Sequence, residues 1–168
     1  IDSRLAPFTI LGLENVVMKD INVKTAEGQL TTTIGGRIDR MDCVTYADGV
    51  RRIRVIDYKT GKNNKKNDGY ILQSFIYSLL VDESPMMNTD KLEVSPALLY
   101  IQHSAGKDFD PTVVYEKEKV TDVSKYREEF MNTVEQIIAE IFNPEQPFAC
   151  TDDKTACTHC PYCNLCGV

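Results

Sequence analysis

Residues 51–58, Arg51-Arg52-Ile53-Arg54-Val55-Ile56-Asp57-Tyr58, read as a β-strand with a mostly buried second half. Beyond it, a polar, lysine-rich loop runs from Thr60 to Asp68. In the next stretch Tyr70, Ile71, Leu72, Phe75, Ile76, Tyr77, Leu79 and Leu80 leave almost no polar face. This predicts a buried helix to about Val81, with Asp68 as its cap. Pro96 to Gln102 reads as another strand. A strand–helix–strand passage of this length normally gives a right-handed parallel crossover.

Upstream, residues 20–26 alternate apolar and polar, Glu27-Gly28 makes a turn, and residues 29–42 resume with Leu30, Thr32, Ile34 and Ile38. The paired glycines Gly35-Gly36 within that second strand suggest a bulge or a close backbone approach. Ala47-Asp48-Gly49 is a hairpin turn signal. Such short connections predict an antiparallel three-stranded meander. Downstream, residues 111–118 read as a further strand. Residues 122–142 read as an amphipathic helix carrying Phe130, Val134, Ile137, Ile138 and Ile141 on one side, ended by Asn143-Pro144. The expected class is α/β, a mixed β-sheet flanked by helices. Residues 1–148 form the core, and a cysteine-rich tail, 149–168, packs on the same domain.

At 168 residues the chain suits one domain. It has 19 basic and 25 acidic residues, a net charge of −6. That balance argues against a wholly basic nucleic-acid coat, though not against a localised basic path. Between Arg51 and Asn67 stand seven basic residues, Arg51, Arg52, Arg54, Lys59, Lys62, Lys65 and Lys66, against the single acid Asp57. This suggests either a basic lip that guides a phosphate backbone or a solvated loop. No apolar run is long enough to span a membrane. The start, Ile1-Asp2-Ser3-Arg4, carries neither an initiator Met nor a signal peptide, so the chain is expected to be a piece of a longer polypeptide.

The residues that suggest chemistry are Asp39, in Gly36-Arg37-Ile38-Asp39-Arg40, and the strand end Asp57-Tyr58-Lys59-Thr60-Gly61. Strand alternation sends Asp57 and Lys59 to one face. If the meander pairs as drawn, Asp39 approaches the same edge. Two carboxylates and an ammonium suit Mg²⁺-assisted phosphodiester hydrolysis, with the acids holding the metal and Lys59 orienting water or stabilising the transition state. A plain Asp57–Lys59 ion pair is the competing account. Gln73 and Tyr77, four apart on the apolar helix, share a face. A buried amide needs a partner, which the site or a neighbouring carbonyl would provide.

Five of the six cysteines crowd the last nineteen residues, which points to a metal site in a reducing compartment rather than a disulfide framework. Cys157, Cys160, Cys163 and Cys166 follow one another at x₂ spacing, which is tight for one tetrahedral zinc and better suited to an iron–sulfur cube. Cys43 alone reads as a small core residue. His159 reads as an exposed loop residue and His103 as a strand-end residue.

Gly-x-x-Asp-Arg at 36–40, Ile-Asp-Tyr-Lys-Thr-Gly at 56–61 and Gln-x-x-x-Tyr at 73–77 resemble motifs of the PD-(D/E)XK nuclease superfamily. The branch most similar is the RecB/AddB type, attached to recombination helicases. The resemblance covers roughly Pro7 to Cys166 and implies a restriction-endonuclease-like core. It makes Asp39, Asp57 and the Tyr58 carbonyl ligands of Mg²⁺ or Mn²⁺, Lys59 the catalytic lysine, and Gln73 and Tyr77 its accessory pair. Lys62, Lys65 and Lys66 become DNA contacts. Cys157, Cys160 and Cys166 match the relatives' 4Fe–4S ligands; Cys163 is an extra, and Cys163, Cys150 or an upstream thiol would complete the set, with zinc as the alternative metal. The relatives place a His-bearing helical segment before the sheet. Neither His103 nor His159 lies upstream of Asp39, so that piece is expected before Ile1, and the chain without it is expected to bind metal and cleave weakly. The implied protein is a cytoplasmic bacterial helicase–nuclease acting on DNA ends, with the motor in a separate region or subunit. A non-catalytic DNA-binding or scaffolding module of the same fold is the alternative, and a metal-stapled interaction domain without nucleic acid is a third reading.

Overall fold

Two tight turns and one helical crossover organise the sheet. The structure is a computed structural model that describes residues 7–47, 49–61, 68–102, 104, 109–147, 149, 151–158 and 160–166. Four strands, β1 (Phe8–Thr25), β2 (Gly28–Thr45), β3 (Arg51–Lys59) and β4 (Glu93–Tyr100), lie in the order β1-β2-β3-β4. The first three pair antiparallel, and β3 pairs parallel with β4. Helix α1 (Asp68–Glu83) joins the parallel pair, because parallel neighbours need a long crossover where antiparallel ones need only a turn. At the β2–β3 turn the Tyr46 amide donates to the Val50 carbonyl and the Gly49 amide to the Tyr46 carbonyl, both at 2.9 Å. This is the mixed sheet with flanking helices expected from the sequence.

Strand β1 reaches back to Phe8, twelve residues before the alternation at 20–26 begins. Its first half does not alternate, because the ladder shifts register between Ile10 and Gly12. Between Leu13↔Arg40 and Asn15↔Ile38 the register is kept, but Glu14 between them has a φ of 53°. Ile10, Leu11, Leu13, Val16 and Met18 are consequently exposed. The same irregularity changes the phase of β2: Ile38 and Met41, three apart, enter one core cluster. Bulges of this kind re-aim side chains at functional edges, and Asp39 sits at the change.

The larger core lies between the sheet and α1. Phe75 is fully buried, stacks on Phe130 at a ring separation of 3.9 Å and meets Tyr115 and Tyr126 edge-on. Burial of α1 is one-sided rather than complete. Ser74, Phe75, Ser78, Leu79, Leu80 and Val81 are enclosed, whereas Ile71, Leu72, Ile76 and Tyr77 are half-buried and Tyr70 is exposed. Asp68 lies within the helix rather than capping it from outside.

Strand β4 begins at Glu93, so Pro96 lies inside it. An edge strand tolerates a proline, and here the Pro96 carbonyl accepts from the Val113 amide at 3.0 Å. The expected strand over 111–118 is broken: Thr112 makes a single bridge to Ala97, and β5 (Val114–Tyr115) and β6 (Glu118–Lys119) form a small hairpin. Glu116 and Lys117 turn it with φ of 48° and 71°, which ends any continuous extended run. The segment expected as one helix over 122–142 starts with a 3₁₀ turn, Val123–Tyr126, capped by Asp122, and continues as α2 (Arg127–Ile141). On α2 only Phe130 and Val134 are buried, while Ile137 and Ile141 face solvent. The tail holds two single turns, α3 (Lys154–Cys157) and α4 (Cys163–Cys166). Among the described residues no helix is long and apolar enough to cross a membrane.

Candidate active site

The β2–β3 ladder pairs Arg40 with Ile56; continued by one residue, the same register sets Asp39 opposite Asp57. Directly opposed residues of an antiparallel pair project to one side. The Asp39 carboxylate accepts a hydrogen bond from the Tyr58 amide at 2.7 Å, tying it to the end of β3. Asp57 is 7% exposed, and the Lys59 ammonium stands 2.5 Å from its Oδ2. The two meet as an ion pair at the end of the strand. Burial pushes the Asp57 pKa up, Lys59 pulls it down, and the nearby Asp39 charge pushes it up again, leaving it above the ordinary value.

Helix α1 supplies the other wall. Lys59 donates to Gln73 Oε1 at 3.1 Å, and Gln73 Nε2 donates to the Tyr77 hydroxyl at 3.1 Å. Tyr77 in turn lies against β2 at Gly36, where a Cβ would stand 2.2 Å from its hydroxyl oxygen. The close approach expected of Gly35-Gly36 thus has a specific cause at Gly36. A continuous line of contacts runs Asp57–Lys59–Gln73–Tyr77–Gly36, with Asp39 across the ladder from its first member. The Lys59 ammonium also sits over the Tyr70 ring, 4.0 Å from the centroid. In the sequence Tyr70 reads only as one of the helix's apolar residues; its spacing of three from Gln73 on the same helix is the signal that places it at the site.

Two facing carboxylates, one of them buried, suit a hard divalent cation, and Mg²⁺ commonly uses one or two carboxylates and fills its remaining positions with water and phosphate. The donor set therefore fits such an ion. Among the described residues no group of three or more His, Cys, Asp or Glu side chains converges, so within them the site has these two acids rather than a closed cage.

The tail does not present a comparable set. Among the described residues Cys157, Cys160, Cys163 and Cys166 are free thiols and fall in no group of three or more His, Cys, Asp or Glu side chains. Cys43 is buried in a strand, as expected. Cys150, His103, His159, Lys62, Lys65 and Lys66 lie outside the described residues. The basic lip is narrower than its composition suggests, because three of its arginines face acids. Arg51 bonds Asp90 at 3.1 Å, Arg52 bonds Glu93 at 2.6 Å, and Arg54 bonds both oxygens of Asp42 at 2.7 and 2.8 Å.

On the opposite face of β3 from Val55, Arg54 and Asp42 are buried together with Arg40, which also grips Asp42. This ionic cluster was not read from the sequence; nothing local marks Asp42 as the shared partner.

A family model described as the PD-(D/E)XK nuclease superfamily matches residues 1–167. No curated protein matches the chain.

Proposed function

We propose, from the premise that this chain belongs to the PD-(D/E)XK nuclease superfamily, that it is the metal-dependent DNA nuclease domain of a RecB/AddB-type bacterial helicase–nuclease that processes DNA ends for recombinational repair. The observation that carries the reading is the Lys59 ammonium held between Asp57, at 2.5 Å, and Gln73, at 3.1 Å, on the edge where Asp39 is anchored. Asp39, Asp57 and the Tyr58 carbonyl would hold Mg²⁺ or Mn²⁺. Such an ion, when bound, supplies Lewis acidity and a more acidic water. Lys59 orients the attacking water and stabilises negative charge growing on the phosphorus oxygens. Gln73 fixes Lys59 in that pose, and Tyr77 fixes Gln73. Lys62, Lys65 and Lys66 hold the DNA backbone beside the site.

Residues 1–148 are the nuclease core in this reading, and 149–168 a tail whose Cys-x₂-Cys spacing supports a 4Fe–4S cluster, or zinc. Iron and sulfide analysis of anaerobically purified protein checks this, and a colourless preparation with stoichiometric zinc reverses the choice of metal.

The test of the nuclease is hydrolysis of linear DNA with Mg²⁺ or Mn²⁺. Lys59→Ala and Asp57→Asn should each lower the rate by about 100-fold or more without a loss of folded structure. Undiminished activity in both variants overturns the assignment. Among the described residues no third acid joins Asp39 and Asp57, which favours a second reading, a non-catalytic DNA-binding or scaffolding module; DNA that is bound yet left intact by wild type and variants alike supports it.

A further inference from the structure

We propose that Tyr70 is a positioning residue for Lys59, acting through the face of its ring and not through its hydroxyl; this rests on the nuclease reading above. An ammonium has three donors and four rotatable stem bonds, so a carboxylate and an amide oxygen alone leave one side open. In this site that side is closed by Tyr70, with Lys59 Nζ 4.0 Å from the ring centroid, inside the distance over which an aromatic face attracts a cation. Asp57, Gln73 and Tyr70 thus bound the ammonium, whose side chain is only 13% exposed.

Tyr70 lies one turn before Gln73 on α1, so the two reach Lys59 from a single rigid element. Tyr70 is itself 42% exposed. A large aromatic left that open contributes little to the core, and its visible contact is with the lysine. Enclosure by the ring keeps water from competing for the ammonium and restricts its rotamers, so the amine stays at the edge shared by Asp57 and Asp39.

The proposal is tested by Tyr70→Leu and Tyr70→Phe in the 168-residue chain, with Lys59→Ala as reference. Tyr70→Leu should lower kcat on linear DNA about tenfold, with KM changed less than about twofold, a size that a partly desolvated cation–π contact supports. Tyr70→Phe, which keeps the ring, should recover what Tyr70→Leu loses. A second readout needs no turnover. Protons over a ring face are shielded, so the Lys59 ε-methylene NMR signals should lie upfield in wild type and in Tyr70→Phe, and return to ordinary positions in Tyr70→Leu. Unshifted signals in wild type, or equal rates for the leucine and phenylalanine variants, overturn the role of Tyr70. If Lys59→Ala cleaves as well as wild type, the nuclease assignment of Lys59 fails instead, and the NMR comparison alone then judges whether the contact exists.

Discussion

Gly35 and Gly36 are neighbours in β2, yet a methyl group added at each would meet different obstacles. At Gly35 it would stand 2.1 Å from the Val17 carbonyl oxygen, on a backbone with φ of +146°. Neither that carbonyl nor the dihedral can yield without disturbing the β1–β2 ladder. Gly35→Ala should therefore destabilise the fold by about 2 kcal/mol or more in urea unfolding. At Gly36 the obstacle is the Tyr77 ring, a side chain that can swing aside. Gly36→Ala should cost little stability but lower nuclease activity about tenfold, because displaced Tyr77 no longer holds Gln73. Asp57 adds a pH signature. Its pKa in the fold lies above the ordinary aspartate value of 3.8, so the folded state favours the protonated acid, and stability is lost as pH rises through that raised value. Asp57→Asn should therefore gain in urea midpoint relative to wild type at pH 7, and the gain should vanish at pH 3, where Asp57 is protonated in both states.

Each element carries a stretch that is regular by spacing and a stretch that tertiary contacts reshape. In α1 the apolar spacing correctly marks a helix, but a helix packed on one face of a sheet hides one side only, so Tyr70 is left facing outward beside Lys59. In α2 the apolar stripe extends beyond the surface it can cover, and Ile137 and Ile141 remain in solvent. In β2 and β3 the decisive contact is ionic. Asp42, wholly buried, accepts from Arg54 and also grips Arg40. Removing one partner of a buried charge cluster leaves the others poorly compensated. Asp42→Ala should destabilise by about 3–5 kcal/mol in urea unfolding, far more than loss of the exposed Arg51–Asp90 pair, whose contribution is about 0–1 kcal/mol.

At the scale of the molecule the charges are segregated. Seven of the 19 basic residues fall between Arg51 and Asn67, but Arg51, Arg52 and Arg54 are engaged with Asp90, Glu93 and Asp42. Lys59 is paired with Asp57, and the cations of that stretch proposed to meet a phosphate backbone are Lys62, Lys65 and Lys66. Replacing all three with alanine should weaken DNA binding and flatten the plot of log K against log salt by about 2–3 units of slope, as loss of three phosphate contacts requires. An unchanged slope would place the DNA path elsewhere. The sheet order β1-β2-β3-β4 assembles the Asp39–Asp57–Lys59 edge, since β3 is flanked on one side by the strand bearing Asp39 and on the other by the partner that α1 connects.

Turn residues and apolar spacing are local, and they suffice for the meander, the crossover helix and the mixed sheet, because backbone sterics and side-chain periodicity act within a few residues. The same spacing brings Asp57 and Lys59 to one face and Gln73 and Tyr77 to another, so their meeting needs only the correct pairing of strands and helix. The early start of β1, the phase change beside Asp39, the Tyr70–Lys59 contact and the arginine partners all depend on groups far apart in the chain, such as Arg52 and Glu93. Nothing in the order of residues states which acid an arginine will meet. That is settled by register and by the cost of leaving a charge unpaired once the sheet closes.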